Sequence, residues 1–175
     1  MSEAARDAET ETAERDTAPD VETAAGTDTA GSGRIVVGVD GSDPSLQALR
    51  WAVRQAALTG AVLEAVIAWE MPSAYGWGGL PALPENFDLE ATTARVLDDA
   101  VEKALTPEQA ATVTRRTVLG NAAQTILDRG EGADLIVVGV RGHGTFRATL
   151  LGSVSHTVTL HASCPVVVVR GSASV

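Results

Sequence analysis

One cysteine, Cys164, stands in 175 residues. That excludes an internal disulfide and fits a reducing cytosol; beside Pro165 it reads as a small buried hydrophobe. No apolar run approaches a membrane span. Lysine and arginine form no cluster and the formal net charge is −10, which argues against nucleic acid as a partner. The first residues have neither the basic start nor the apolar stretch of a signal peptide, and their acidity is unlike a mitochondrial presequence, so a cytoplasmic protein is expected. The phosphate loop G-x-x-x-x-G-K-[ST] is missing, and so is a G-x-G-x-x-G after the first strand. No Ser/His/Asp or Cys/His arrangement suits nucleophilic catalysis, and no metal-ligand spacing occurs.

The charge is unevenly spread. Residues 1–33 hold nine acids and two bases, whereas residues 34–175 hold fourteen acids and eleven bases. After the start methionine, Val21 is the one strong hydrophobe of the first segment. Such a stretch cannot bury enough apolar area to offset its ordering entropy, so residues 1–33 are expected to be a disordered acidic extension. Residues 34–175 make one domain of ordinary size.

Along that domain, short apolar runs alternate with helical patterns. Strands are predicted at 34–40, 61–69, 111–119, 134–138 and 165–169, and helices at 44–59, 89–105, 122–129 and 153–161. Asp43 or Ser42 caps the first helix, Pro44 suits its first turn, and Gly60 ends it. Asn121 caps the third helix. The third strand alternates polar and apolar residues and so belongs near an edge. Between Met71 and Phe87, Pro72, Pro81 and Pro84 with Gly76, Gly78 and Gly79 mark a long loop. Its Tyr75 and Trp77 are read as covering apolar surface rather than stacking on a base. The alternation β-α-β-α-β-α-β-α-β requires right-handed crossovers and a parallel sheet with helices on both faces.

The most informative segment is Gly139-Val140-Arg141-Gly142, followed after nine residues by Gly152-Ser153. It joins the end of an apolar strand to the start of a helix. Glycines let a backbone approach an anion, and free N–H groups at a helix start point at it. Ligands of an open parallel sheet bind beyond the carboxyl ends of its strands, where strand order reverses. Three such ends look equipped: Gly38-Val39-Asp40, Ile67-Ala68-Trp69 and Val138-Gly139. One site can use all three only if those strands are neighbours. The alternatives are glycines that serve turns alone and a Ser153 that serves only as a cap. Asp40 at a strand end reads as a ligand candidate, since Ser42 and Asp43 are better placed as caps. Arg141 and His143 are either solvated charges or phosphate partners. His161 shares a helical face with Val154 and Val158 and reads as a packed histidine.

Together, the run Arg34-Ile-Val-Val-Gly-Val-Asp40-Gly-Ser, the Gly139-x2-Gly142-x9-Gly152-Ser153 motif and the closing Cys164-Pro-Val-Val-Val-Val-Arg170 resemble the universal stress protein family over residues 34–170. The resemblance implies an α/β fold, an open five-stranded parallel sheet of order 3-2-1-4-5 with helices on both faces, Rossmann-like in its nucleotide binding. The complete glycine motif marks the ATP-binding subclass. By the same resemblance, Asp40 and the backbone at Ala68 address the adenine, and Gly38 and Val39 line base and ribose. Gly139 and Gly142 lie against ribose and phosphates. Gly152, Ser153, Val154 and Ser155 hold the phosphates through N–H and hydroxyl groups, with Mg2+ on the phosphate oxygens. Relatives carry His where Ile67 stands. Family members dimerise through the last strand. The apolar edge Val166, Val167, Val168 and Val169 supports a homodimer on physical grounds too, because a bare edge of this kind invites pairing.

Three functions remain open at this level. The first is an ATP-binding stress-response or regulatory module with no evident general base or nucleophile. The second is a slow ATPase or phosphotransferase in which Arg141 or His143 stabilises charge and Ser153 accepts a phosphoryl group. The third is a nucleotide-independent interaction protein.

Overall fold

The computed structural model describes residues 33–70, 88–142 and 151–170. The expectations for residues 1–32, for the 71–87 loop with Tyr75 and Trp77, and for His143 lie outside them. In chain order the elements are β1 (Arg34–Gly38), α1 (Asp43–Thr59), β2 (Val62–Trp69), α2 (Leu89–Ala104), α3 (Pro107–Ala110), β3 (Val113–Leu119), α4 (Ala122–Gly130), β4 (Leu135–Gly139), α5 (Ser153–His161) and β5 (Val166–Val169). The sheet is all parallel in the order β3-β2-β1-β4-β5. The expected edge position of β3 holds, and β2, β1 and β4 are neighbours.

Each buried strand feeds two apolar layers because successive side chains face opposite ways. Ile35 and Val37 join Leu46, Leu49, Leu97 and Val101 under α1 and α2. Val36, Val66 and Ile136 join Ile126 and Val158 under α4 and α5. Gly60 ends α1 as expected, with φ 71 and its N–H on the Ala56 carbonyl. The one-turn α3 falls outside the sequence reading. Thr106 and Gln109 form a reciprocal capping box around it, a local signal that could have found it.

The second layer contains a charge that the hydrophobic pattern concealed. Glu64 of β2 is only 6% exposed. Its Oε1 accepts from Arg129 Nε at 2.6 Å and lies 2.5 Å from Arg129 Nη2. The Arg129 carbonyl in turn accepts from Arg34 Nη1, the Glu131 carbonyl from Arg34 Nη2, and Asp134 Oδ2 from the Arg34 backbone N–H, each at 2.6 Å. This network ties β1 and β2 to the end of α4 at the amino-terminal edge of the sheet.

Two local expectations need correction. His161 is exposed rather than packed. It ends the short α5, where a basic group meets the carbonyl end of the helix instead of the sheet. Cys164 is half-buried, with Sγ 3.8 Å from the Gly130 carbonyl, and burial pushes its thiol pKa up.

Removing one partner of a buried ion pair leaves the other charge uncompensated. Because Arg129 is partly exposed, Arg129→Met is expected to cost about 3 kcal/mol, the lower end for such a deletion. Glu64→Leu combined with Arg129→Met is expected to recover most of that loss, as read by urea denaturation.

Candidate functional site

The carboxyl ends of β1, β2 and β4 open into a cleft of about 640 Å³, within the usual size range of small-molecule sites. Gly38, Val39, Asp40, Ala68, Gly139, Arg141, Gly142, Gly152, Ser153, Val154 and Ser155 all line it. They come from four separate stretches of chain, and the neighbouring of β2, β1 and β4 brings them together. Val138, expected at the end of the fourth strand, lines it too, as do Ser45, Val66, Ala122, Ile126, Leu151 and His156, which were not singled out from the sequence. Ile126 and Val66 belong to a helical and a strand stripe that reads as core. His156 carries a usable signal: it lies three residues after Ser153, on the same face of the first turn of α5.

At one end of the cleft, β2 runs three residues beyond β1. Val39 N–H still bonds the Val66 carbonyl at 2.9 Å, and the Trp69 carbonyl accepts from Gly120 N–H on the β3 side at 2.8 Å. Alternation along a strand therefore aims the N–H and C=O of Ala68 to the side where β1 has ended.

Asp40 is not a loose carboxylate. Its Oδ1 accepts from Ser42 N–H at 3.0 Å and from Ser42 Oγ at 2.6 Å. Ser42 occupies the N-cap position of α1 but makes no side-chain cap bond; its hydroxyl donates to Asp40. A side chain at Gly142 would collide with Asp40 Oδ2. The strand end after β1 and the loop after β4 thus meet across the cleft.

The motif glycines serve close approach. Neither Gly139, Gly142 nor Gly152 is in the left-handed region that a turn glycine supplies. A Cβ at Gly139 would lie 2.8–2.9 Å from backbone atoms of Pro44 and Ser45, and one at Gly152 would lie 3.3 Å from Arg141 Cα. The expected contact of Gly139 with a ligand therefore has a second cause, the packing of the α1 start on β4.

At the far end, the N-cap of α5 is Gly152, not Ser153, and it has no side chain to accept from the first turn. The first helical bond runs from His156 N–H to the Gly152 carbonyl at 2.9 Å. The N–H groups of Ser153, Val154 and Ser155 precede it and have no helical acceptor. By contrast, Asn121 Oδ1 caps α4 by accepting from Ala123 and Gln124 N–H. The Ser155 hydroxyl, expected on a phosphate, is instead buried and lies 3.0 Å from both the Val140 and the Gly152 carbonyls. Among the described residues no group of three or more His, Cys, Asp or Glu could hold a metal ion.

A family model described as the universal stress protein family matches residues 31–170. The chain belongs to that family. It is 37% identical over 145 residues to the universal stress protein Rv2623 of Mycobacterium tuberculosis, covering 81% of this chain and 48% of that protein. The chain thus spans about half the length of such mycobacterial relatives. It is 34% identical to universal stress protein YxiE of Bacillus subtilis, covering 78% of this chain and 98% of that protein. Among solved structures, a universal stress protein in complex with cAMP aligns with a TM-score of 0.56 at 28% identity, covering 80% and 98% of the two chains. One from Archaeoglobus fulgidus in complex with dAMP aligns with a TM-score of 0.56 at 25% identity, covering 78% and 97%. The sheet order, written from the resemblance alone, is the order found.

The packing cause at Gly139 has a measurable consequence. Gly139→Ala is expected to lower stability by about 1–3 kcal/mol, since the backbone of α1 must retreat. Thermal denaturation without any ligand reads that loss.

Proposed function

We propose that the cleft binds an adenine nucleotide, ATP with Mg2+, and that the protein serves as a cytoplasmic stress-response module rather than a committed enzyme. The observation that carries this reading is the glycine-capped start of α5: Ser153, Val154 and Ser155, whose N–H groups have no acceptor among the described residues, line the same cleft as Ala68. Peptide N–H groups and the helix dipole together favour phosphate at such a start. At the other end, Ala68 offers a donor and an acceptor to a base edge, and Val66, Ala122 and Ile126 supply apolar walls. Asp40, held by Ser42, stands between them as an acceptor for ribose or base. Since no carboxylate cluster is present among the described residues, Mg2+ would rest on phosphate oxygens, with Ser153 the nearest candidate hydroxyl on the helix. The solved relatives with cAMP and dAMP support an adenine nucleotide as the ligand class.

Equilibrium dialysis should show saturable ATP binding. Gly142→Val should weaken it at least about tenfold, because the new side chain displaces the Asp40 carboxylate and its contacts. Equal binding by both proteins would remove this loop from the site.

The second part of the proposal is a homodimer through β5. This strand is the open edge of the sheet, and Val166, Val167, Val168 and Val169 are all only half-buried. Pro165 and Val169 carbonyls accept from β4 and the loop after it, so alternation turns the Val168 N–H to the open side. Val168→Pro removes that donor without costing a β4 bond. Sedimentation equilibrium should show a dimer for the parent chain and a folded monomer for the variant; a dimeric variant would place the interface elsewhere.

A further inference from the structure

We propose that Ser155 is a positioning residue for the phosphate side of the cleft: its hydroxyl touches no ligand and instead fixes the Val140 peptide, and through it Arg141 and Gly142. The inference rests on reading the cleft as a nucleotide site.

Ser155 is 2% exposed. Its Oγ lies 3.0 Å from the Val140 carbonyl and 3.0 Å from the Gly152 carbonyl, and its hydrogen is shared between them. The Val140 carbonyl also accepts from Gly152 N–H at 2.8 Å, and Val140 N–H donates to the Val169 carbonyl at 2.8 Å. Val140 is therefore held by β5, by the entrance of α5 and by the first turn of α5. Without the hydroxyl, its carbonyl would keep one bond, to a glycine with no side chain to limit its own rotation. One bond permits a pivot that two bonds prevent. Arg141 and Gly142 follow directly, and Arg141 Cα already lies as close to Gly152 as the missing Cβ allows. A pivot at Val140 would move these two residues relative to the N–H groups of Ser153 and Val154. It would not move Val66, Ala68 or Ile126, which line the base end from other elements.

The device thus separates the two ends of the ligand. Phosphates depend on Ser155, and the base does not. For Ser155→Ala, ATP affinity is expected to fall about tenfold, while adenosine affinity changes by less than about twofold. Ser155→Thr, which keeps the hydroxyl, should restore ATP affinity. Trypsin cleavage after Arg141 in the unliganded protein should be faster in the Ala variant, with Tm lowered by no more than about 3 °C. Isothermal titration with ATP and adenosine, run beside the trypsin assay, decides the matter. Unchanged ATP affinity or an unchanged trypsin rate in Ser155→Ala overturns the proposal. Equal loss for ATP and adenosine also overturns it, since that marks a merely structural role. If the parent chain binds neither compound, the site reading falls and takes this inference with it. If the parent chain binds both, the site reading stands whatever Ser155→Ala does.

Discussion

The start of α1 rests on the end of β4 at a distance that no side chain would permit. Gly139 meets the Pro44 and Ser45 backbone where a Cβ would be 2.8–2.9 Å away. That contact sets the geometry of the crevice. The helix that follows β1 leans over β4 and β5 on one face, so the chain leaving β4 must turn to the other face to reach α5. In doing so it passes the end of β1, where Gly142 meets the Asp40 carboxylate. Strand order reverses between β1 and β4, and the crevice expected at such a point is walled on one side by the α1 start and on the other by α5. A larger residue at 139 would push the first wall, the α1 start, outward.

The two edges of the sheet treat their polar groups oppositely. At the amino-terminal edge, Arg34, Glu64, Arg129 and Asp134 satisfy one another and the last carbonyls of α4 within 2.5–2.6 Å. At the carboxyl edge, the first turn of α5 is left with a glycine cap, and the N–H and C=O of Ala68 face the side where β1 has ended. Departures from local satisfaction concentrate where function is expected. The closed edge supplies the rigidity that lets the other stay open, because β1 is held at both ends: by Arg34 at its start, and at its finish by the Val39 bond to Val66.

How much of this was legible in the sequence depends on how far apart the partners lie. The strand ends and the glycine loop followed from apolar runs and glycine spacing, because each signal is contained in a short stretch; the sheet order followed from the family resemblance alone. Glu64 was not legible as a buried charge, since its partner Arg129 is 65 positions away. Gly139 read as a ligand-side glycine, although its nearest obstacle is a helix start 95 positions upstream. Ser155 was expected on the phosphates by the family resemblance alone; only the fold shows Val140 already beside its hydroxyl, 15 positions back. The helix at 153–161 was legible as such, and its cap is Gly152, so the alternative in which Ser153 serves only as a cap falls. His161 followed the helical period onto the buried face, but the helix stops there, and a period carries no information about where the sheet beneath it ends.

The glycine spacing therefore records packing before it records a ligand. Gly139 answers to Pro44 and Ser45, Gly142 to Asp40, and Gly152 to Arg141 and Val140. Each is required by protein atoms already in place. A chain could keep all three and retain the same turn with no nucleotide bound. What a phosphate would recognise is separate from the glycines: N–H groups at Ser153, Val154 and Ser155 that no cap accepts, held in register with the facing loop by one buried hydroxyl. In this fold the glycines build the crevice, and the missing cap is what suits it to an anion.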